Sequence, residues 1–369
     1  MSDNPLYNVN IPFWDNLRLG PRELTESEKQ RINELNMAIE SLKKEHDIDL
    51  SFDFFDKRIE SPVGLCAGPA YGSKWLSLYA KLGYDILTQK TVRDRLWKGH
   101  PLPNIVCIKG GWEDRFEIVD KFTGSITNSF GIGSLAPEEW SADLSNFIRN
   151  LNDSKTLKIS TVCTPSKGET QESIIEQFVN LSRIVKQTGS HGVEFDLSCP
   201  NIAPGESSSE GDIYTDAKQT RKITEAVRNE VGNKLPIFLK VGYLKDYTNL
   251  VEEISGLADA IVAVNAMPAP VSYKDGRNVF GDRGGKAGVC GLALLNMGLD
   301  AVKQLVKLRE RFGNFKIIGV GGILNPEIAI KYLNLGADAI EIGTGAIYNP
   351  FLALEIKKAL LERRIKNGI

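Results

Sequence analysis

The sequence is short of the residues that build metal sites, disulfide frameworks and membrane spans. It has only three histidines, His46, His100 and His191, and none has a partner at metal-ligand spacing. Its five cysteines are an odd number without a CxxC pair, and no hydrophobic leader precedes them, which indicates a reducing compartment. No apolar run approaches the roughly 18 residues of a membrane-spanning helix. We therefore expect a cytoplasmic protein with no metal site and no membrane span.

The sequence also lacks an excess of charge of either sign. The 45 basic and 47 acidic side chains leave a net charge of −2, so no overall field attracts nucleic acid or an anionic membrane. The apolar fraction of 42% and the charged fraction of 25% are typical of globular proteins. A chain of 369 residues is long for one compact domain unless that domain is an α/β barrel, for which about 250 residues are ordinary.

Short apolar runs alternate with helical patterns from residue 60 onward. The predicted strands are 63–67, 85–88, 157–162, 193–197, 237–241, 260–264, 316–320 and 339–342. Amphipathic segments lie between most of them, at 171–188, 217–231, 300–312 and 326–335. Eight strands with intervening helices favour a parallel (β/α)8 TIM barrel over an open doubly wound sheet.

Residues 1–58 precede the predicted barrel, which occupies 59–369. The first 22 residues carry three prolines and suggest an arm on the surface of something larger. A capping box at Thr25-Glu-Ser-Glu28 begins an amphipathic helix, whose apolar stripe is Ile32, Leu35, Ile39 and Leu42. Packing on the barrel or a partner is favoured over membrane or quinone access, because the stripe is narrow. Within the barrel, 105–127 predicts a β-hairpin and 202–216 is a candidate lid.

The stretch from His191 to Asn201 carries the strongest chemical signal. A buried strand at 193–197 runs directly into Ser198-Cys199-Pro200-Asn201. Pro200 cannot extend a strand ladder, so the chain turns there and leaves Cys199 above the sheet. The alternative is a cysteine that serves as a small hydrophobic residue in the core.

Two glycine-rich turns follow the last two predicted strands, Gly319-Val-Gly-Gly-Ile323 and Gly343-Thr-Gly345. At this end of a barrel, glycine turns and a helix N-terminus bind phosphate through backbone N–H groups. One such turn is weak evidence, but a pair on consecutive strands predicts a phosphate site.

Other strand ends must face Cys199 if the fold is a barrel. They carry Ala67 and Gly68 after the first strand, Lys90 after the second, Asn128 beyond the hairpin, Lys240 in the fifth and Asn265 after the sixth. A buried ammonium needs an anionic partner, and a reduced flavin, anionic near N1, would supply one. The alternative is that these lysines reach the rim or pair with Asp and Glu.

These residues together resemble the dihydroorotate dehydrogenase family of FMN enzymes. The resemblance covers about residues 60–355, and its motifs arrive in the family's order. They are Thr88-Gln-Lys-Thr91, Gly99-His-Pro-Leu-Pro103, Asn128-Ser-Phe-Gly131, Leu197-Ser-Cys-Pro-Asn201, Gly319-Val-Gly-Gly-Ile323 and Ile342-Gly-Thr344.

The resemblance implies a role for each matching residue. Cys199 takes the position of the general base, which is cysteine in the soluble class and serine in the membrane-bound class. Lys240 and Lys90 correspond to lysines at the flavin ring and ribityl region, and Ala67, Gly68 and Thr91 also fall at the cofactor. The pyrimidine would be held by Asn128, Asn201 and Asn265. Lys90 and Asp196 would also contact the substrate, and Asn128 and Asn265 would also contact the FMN. The phosphate cradle would be Gly288, Gly321, Gly322, Gly343 and Thr344.

One departure concerns the substrate. The family has asparagine where this chain has Asp196, and an ionised carboxylate there would repel the carboxylate of dihydroorotate. Asp196 is therefore protonated, faces a different substrate, or turns away to Lys240 or Lys90. His100, in place of the usual asparagine, and Gly133-Ser134, in place of Pro-Asn, also alter loops around the substrate.

Four hypotheses remain at this point. The first is a soluble FMN oxidoreductase that converts dihydroorotate to orotate, and the second is the same barrel acting on a non-orotate ring or an enone. An RNA-modifying flavin barrel is disfavoured by the acidic pI of about 6.1 and would be tested by a tRNA gel shift. A non-catalytic flavin scaffold would be excluded by turnover of any substrate. The electron acceptor is not indicated by any motif, and a homodimer is the expected assembly.

Overall fold

The structure is a computed structural model that describes residues 5–113, 115–164, 170–198, 213–281 and 286–368. Within them the strands are β1 (Phe52–Phe54), β2 (Lys57–Ile59), β3 (Val63–Leu65), β4 (Ile86–Val92), β5 (Ile105–Gly110), β6 (Phe116–Ile118), β7 (Ser125–Asn128), β8 (Thr156–Thr161), β9 (Val193–Asp196), β10 (Ile237–Val241), β11 (Ala260–Ala263), β12 (Met267–Ser272), β13 (Lys286–Gly291), β14 (Lys316–Val320) and β15 (Ala339–Ile342). The α-helices are α1 (Phe13–Leu19), α2 (Glu26–His46), α3 (Ser73–Lys81), α4 (Pro137–Arg149), α5 (Gln171–Gln187), α6 (Ala217–Val231), α7 (Thr248–Ile254), α8 (Leu295–Phe312), α9 (Pro326–Asn334), α10 (Thr344–Tyr348) and α11 (Leu352–Asn367).

Eight parallel strands close into a barrel, in the order β3, β4, β8, β9, β10, β11, β14 and β15, with β15 paired back to β3. Each corresponds to one predicted strand, so the (β/α)8 barrel is confirmed. The strands are short and almost wholly buried because helices cover the outside and side chains fill the inside. The second strand is longer than predicted, since β4 continues past a register shift between Gln89 and Val92.

A second sheet lies over the barrel mouth. The predicted hairpin at 105–127 is present, since β5 and β6 pair antiparallel through Ile108 and Ile118. It belongs to a larger sheet in which β7, β12 and β13 also take part and which closes on itself through a β12–β6 pairing. This sheet has its own apolar cluster, which includes Phe116, Val271 and Val289. Of the candidate lid at 202–216, only 213–216 falls within the described residues.

The opposite end of the barrel is closed by the β1–β2 hairpin. Phe54 lies 6.2 Å, between ring centroids, from Phe238 on β10, and both belong to an apolar cluster that fills the barrel floor. Above this floor the interior becomes charged, with Lys158, Glu194 and Glu341 buried together. The strand ends therefore lie above a polar layer rather than directly on apolar packing.

The N-terminal arm and helix pack on the barrel. The predicted capping box forms at Thr25 and Glu28, and Ile32, Leu35 and Ile39 are buried where α2 contacts α11. The backbone N–H of Leu6 donates to the Ile347 carbonyl at 2.9 Å. No helix among the described residues combines the length and the apolarity needed to cross a membrane.

Candidate functional site

A cavity of about 1040 Å³, measured out to its open mouth, lies at the carboxyl ends of the barrel strands. The second sheet contributes part of its wall, through residues that include Ile105, Ile126 and Cys290. A concave cavity with a mixed polar and apolar lining is typical of sites for small ligands and cofactors. In TIM barrels the active site lies at this end.

Nearly all predicted site residues that the structure describes line this cavity. They are Ala67, Gly68, Lys90, Thr91, Asn128, Asp196, Lys240, Asn265, Gly321, Gly322, Gly343 and Thr344. Gly288 is not among the lining residues; it lies within β13, opposite Asn128 in the strand ladder. Cys199 and Asn201 lie outside the described residues, so the base and one predicted amide stay predictions.

Lys240 is the buried cation of the cavity. It lies on β10 in register with Asp196 on β9, and only 5% of its surface is exposed. Within the described part of the chain, its ammonium has no hydrogen-bond or ion-pair partner, although Glu194, Asp196 and Glu341 lie near enough to act on it. Burial lowers the pKa of Lys240, but the Cys66 thiol and these acids together outweigh that effect and raise it. Lys240 is therefore a fixed positive charge at the cavity wall.

Asp196 faces the cavity and is held by two donors. One carboxyl oxygen, Oδ1, accepts from the Asn265 amide at 2.9 Å, and Oδ2 accepts from the Thr91 hydroxyl at 3.2 Å. Burial raises the pKa of Asp196 above its usual value, opposed by Lys240 and Lys90. The side chain thus lies in the cavity rather than turning out of it, and burial favours its protonated form.

The asparagine amides are already engaged inside the cavity. Asn265 donates from Nδ2 to Asp196 and also to the Ser198 carbonyl at 3.1 Å, so both of its N–H groups are used. The Asn128 Nδ2 lies 3.1 Å from the Cys290 sulfur. Asn265 therefore offers a ligand its oxygen, which is an acceptor, and the Asp196 carboxyl fixes that orientation.

The first of the two glycine turns lines the cavity in conformations that residues other than glycine adopt rarely. Gly321 and Gly322 have φ values of 126° and 70°, and a Cβ on Gly322 would lie 2.7 Å from the Leu295 Cβ. A Cβ on Gly343 would lie 2.8 Å from the Cys66 sulfur. A side chain at either position would therefore displace its neighbours. Both glycines line the cavity, where backbone N–H groups can bind an anion.

A test of the Asp196 charge state follows from its burial. The raised pKa means that, between the pKa values of the unfolded and folded chains, the folded protein binds more protons. Its unfolding free energy then falls as the pH rises through that window. We expect Asp196→Asn to reduce this fall and to stabilise the protein at neutral pH by on the order of 1 kcal/mol, or about 2 °C in Tm. Thermal unfolding at about pH 5 and about pH 8, at matched ligand content, measures it.

The exposed Asp120 supplies the control for this substitution. Asp120→Asn makes the same chemical change outside the cavity and is expected to leave the pH dependence of Tm as it is in the unmodified protein. A loss of stability in Asp196→Asn that grows toward alkaline pH would show that the carboxylate is the favoured form.

Comparison with known proteins decides the family. The model of the family described as dihydroorotate dehydrogenase matches residues 49–363. The chain belongs to the dihydroorotate dehydrogenase family. Its members are flavoproteins and oxidoreductases that act on CH–CH groups, so the protein is an enzyme of this type with a flavin cofactor.

Individual members of the family are similar along most of their length. Dihydroorotate dehydrogenase from Dictyostelium discoideum is 28% identical over 382 aligned residues, which cover 96% of each chain. The catalytic subunit of dihydroorotate dehydrogenase B (NAD(+)) from Desulforamulus reducens is 26% identical, over 84% of this chain and 91% of its own. Dihydroorotate dehydrogenase (quinone) from Nostoc punctiforme is 25% identical, over 90% and 85%. Their names differ in the electron acceptor, so family membership does not choose one.

Several lining residues were missed by sequence reasoning. Cys66 precedes Ala67, Glu341 interrupts the last barrel strand, and Cys290 lies in β13, a strand that was not predicted. Charged Glu341 inside an apolar run was an available signal, since a buried acid in a barrel strand needs a partner. His100, a departure from the family, is not among the lining residues and contacts Ser129 through Nδ1 at 2.9 Å.

Proposed function

We propose that this member of the dihydroorotate dehydrogenase family oxidises dihydroorotate to orotate with FMN as its cofactor and Cys199 as the base. The observation that carries the proposal is Lys240: a buried ammonium, without a hydrogen-bond partner in the described residues, at the wall of the cavity above the barrel strands. Acids of the protein stabilise this charge from a distance, but the N–H donors of the ammonium have no acceptor among the described residues and need one from a ligand. A flavin that becomes anionic near N1 on reduction meets that need.

FMN also fits the rest of the cavity by its chemistry. Its phosphate would be held by backbone N–H groups of the turns at Gly321, Gly322, Gly343 and Thr344, which all line the cavity. Lys90 and Thr91 on β4 would serve the ring and ribityl region, with the Lys90 ammonium 5.5 Å from the Phe130 ring centroid. When bound, the flavin supplies the acceptor for a hydride from the substrate.

The protein's own part in the oxidation is to hold the ring and remove a proton. Asn128, Asn201 and Asn265 would bind the polar edges of the pyrimidine, with Asn265 presenting its oxygen to a ring N–H group. Cys199 would take the proton from the carbon next to the one that loses hydride. A thiol of ordinary pKa near 8.5 needs tuning for this task, which the lysines and amide dipoles of the site would provide.

A second candidate function keeps the flavin and changes the substrate to a non-orotate ring or an enone. It is favoured by one observation, the Asp196 carboxyl in the cavity wall between Thr91 and Asn265. An ionised Asp196 would repel a substrate carboxylate, whereas a protonated one would not. The raised pKa of Asp196 supports the protonated form and hence the first candidate.

The two candidates differ in which compound reduces the enzyme. We expect anaerobic dihydroorotate to bleach the visible absorption of the bound flavin, because a proton acceptor and a flavin then flank the substrate. The measurement is an absorbance time course on purified yellow protein, repeated with dihydrouracil, which lacks the carboxylate, and with Asp196→Asn. Asp196→Asn should change the range of reducing substrates more than the flavin content.

The outcomes separate the candidates cleanly. Bleaching by dihydrouracil but not by dihydroorotate would favour the second candidate and contradict the first. Identical kinetics of Asp196→Asn and the unmodified enzyme across the pyrimidine panel would show that Asp196 does not contact the substrate.

We propose further that the chain acts as a cytoplasmic homodimer. We also propose that 59–369 carries the site while 1–58 supports it, through Tyr7 and Phe13. The Tyr7 ring lies 5.6 Å from Phe130 and the Phe13 ring 5.4 Å from Tyr71, both measured between centroids. Phe130 and Tyr71 line the cavity, so deletion of the arm would remove packing behind that wall.

A further inference from the structure

Three charged side chains form a buried layer between the apolar floor of the barrel and the cavity. Lys158 on β8 is paired with Glu194 on β9 and with Glu341 on β15, the latter at 2.9 Å. The exposed fraction of the Lys158 side chain is 2% and that of each glutamate is 0%. The three residues are hereafter called the charged layer.

The charged layer reaches across the barrel. β8 and β9 are neighbours, but β15 is separated from β8 by β3 and β4. The Lys158 ammonium therefore joins walls of the barrel that do not touch, and it lies 5.2 Å from the Phe238 ring centroid of the floor. Because Lys158 is fixed between two carboxylates, Glu341 is held in one place on the inner wall.

Glu341 also faces upward, since it is one of the cavity-lining residues. Its Oε1 accepts from Lys158 and, at 3.5 Å, from the Thr88 hydroxyl. Its Oε2 is buried and has no hydrogen-bond partner among the described residues, and the same holds for Oε1 of Glu194. The single ammonium of Lys158 thus serves two carboxylates. Burial and Glu194 raise the pKa of Glu341, opposed by Lys158 and Lys240, and the ion pair with Lys158 keeps the Glu341 charge beside the cavity.

A second cation, Lys240, interacts electrostatically with this charge. It lines the same cavity and lies within electrostatic reach of Glu341, Glu194 and Asp196. Lys158 and Lys240 together face Glu194 and Glu341, so the positive charge that Lys240 presents to a ligand is reduced by the acids behind it.

We infer that Glu341 is a positioning residue of the flavin site, which Lys158 holds beside Lys240 so that its carboxylate weakens the positive field that Lys240 presents to the flavin ring. This inference rests on the proposed flavin function and deepens it. A negative charge near the ring disfavours added electrons, so Glu341 makes the bound flavin a weaker oxidant.

A purely structural role for the charged layer predicts something different. Buried ion pairs are weak evidence for stability, and apolar side chains of similar volume often replace them without loss. If Glu341 only filled space, an isosteric amide would leave the electronic properties of the flavin unchanged.

Glu341→Gln tests the inference because it keeps the shape and an acceptor for Lys158 while it removes the charge. We expect the holoenzyme of this variant to favour reduced over oxidised flavin at least tenfold more than the unmodified holoenzyme. For a two-electron couple this is a rise of about 30 mV in midpoint potential. The potential is measured by reductive titration against a reference dye. The matched control is Glu310→Gln, at an exposed position of α8, which should leave the midpoint potential unchanged.

A second variant separates charge from packing. Lys158→Met combined with Glu341→Gln removes one charge of each sign, so it should return the potential at least halfway to the unmodified value. A potential unchanged in Glu341→Gln, or a double variant that keeps the full shift, would overturn the inference while flavin binding stands. Purified protein that takes up no FMN would instead overturn the proposed function itself.

Discussion

Cys199→Ala is expected to slow the reduction of the bound flavin by dihydroorotate at least about a hundredfold, while the protein keeps its flavin. Positioned acid–base groups contribute about 10² to 10⁴ in rate, and alanine removes the proton acceptor without touching the proposed cofactor contacts. Ser198, the residue before Cys199, lies within the described part of the chain. It is buried, its carbonyl accepts from Asn265, and its hydroxyl lies 3.4 Å from the Lys240 carbonyl. Anaerobic stopped-flow absorbance measures the reductive half-reaction.

Two further variants sharpen this test. In Cys199→Ser, flavin reduction should be slowed less than in Cys199→Ala when the pH is high. A hydroxyl is a weaker acid than a thiol, so the serine variant gains rate as the pH rises. Cys107→Ala removes another thiol, one that contacts the Tyr348 hydroxyl at 3.6 Å outside the cavity lining, and should leave the rate within a few-fold. Full activity of Cys199→Ala would show that the base has been assigned wrongly.

Lys240→Met is expected to weaken FMN binding by about tenfold to a hundredfold. Hydrogen bonds to charged groups are worth about 1.5–3 kcal/mol, and each 1.4 kcal/mol is about a factor of ten in Kd. The loss is reinforced because Glu194 and Glu341 lie near Lys240, and their negative charge would act on the flavin less opposed once the ammonium is gone. Isothermal titration of deflavinated protein with FMN gives the Kd.

The exposed Lys234, which precedes β10, provides the matched control. Lys234→Met removes a cation from the same connection to that strand and should leave the Kd for FMN unchanged. An unaltered affinity in Lys240→Met, with the fold retained, would mean that the buried ammonium does not face the cofactor.

The barrel was predictable because its signals are local. Each strand is a short apolar run and each following helix has its own amphipathic period, so neither depends on distant residues. The second sheet was predicted only as one hairpin. Its other strands, β12 and β13, pair with segments more than 100 residues earlier, and Pro268 and Pro270 mask the strand pattern.

The candidate site divides in the same way. Lys90, Lys240 and Asn265 were found because strand ends of a barrel converge at one edge, which follows from topology alone. Asn128 was expected beyond the hairpin, and it ends β7 of the second sheet. The orientation of Asp196 did not follow, since it depends on donors from β4 and from the segment after β11. The N-terminal arm was expected on a surface, but its place behind Phe130 and Tyr71 depended on aromatic packing between distant segments.

The sequence by itself determined the barrel, the family resemblance and which residue types meet at the strand ends, because periodicity and motif order are written along the chain. Only the tertiary structure decided that Lys158 bridges Glu194 and Glu341 below the cavity, that Asp196 is held by Thr91 and Asn265, and that Lys240 stands among acids. Charges inside a closed barrel are paired across its interior. The partner of each is set by the closure of the barrel rather than by separation along the chain.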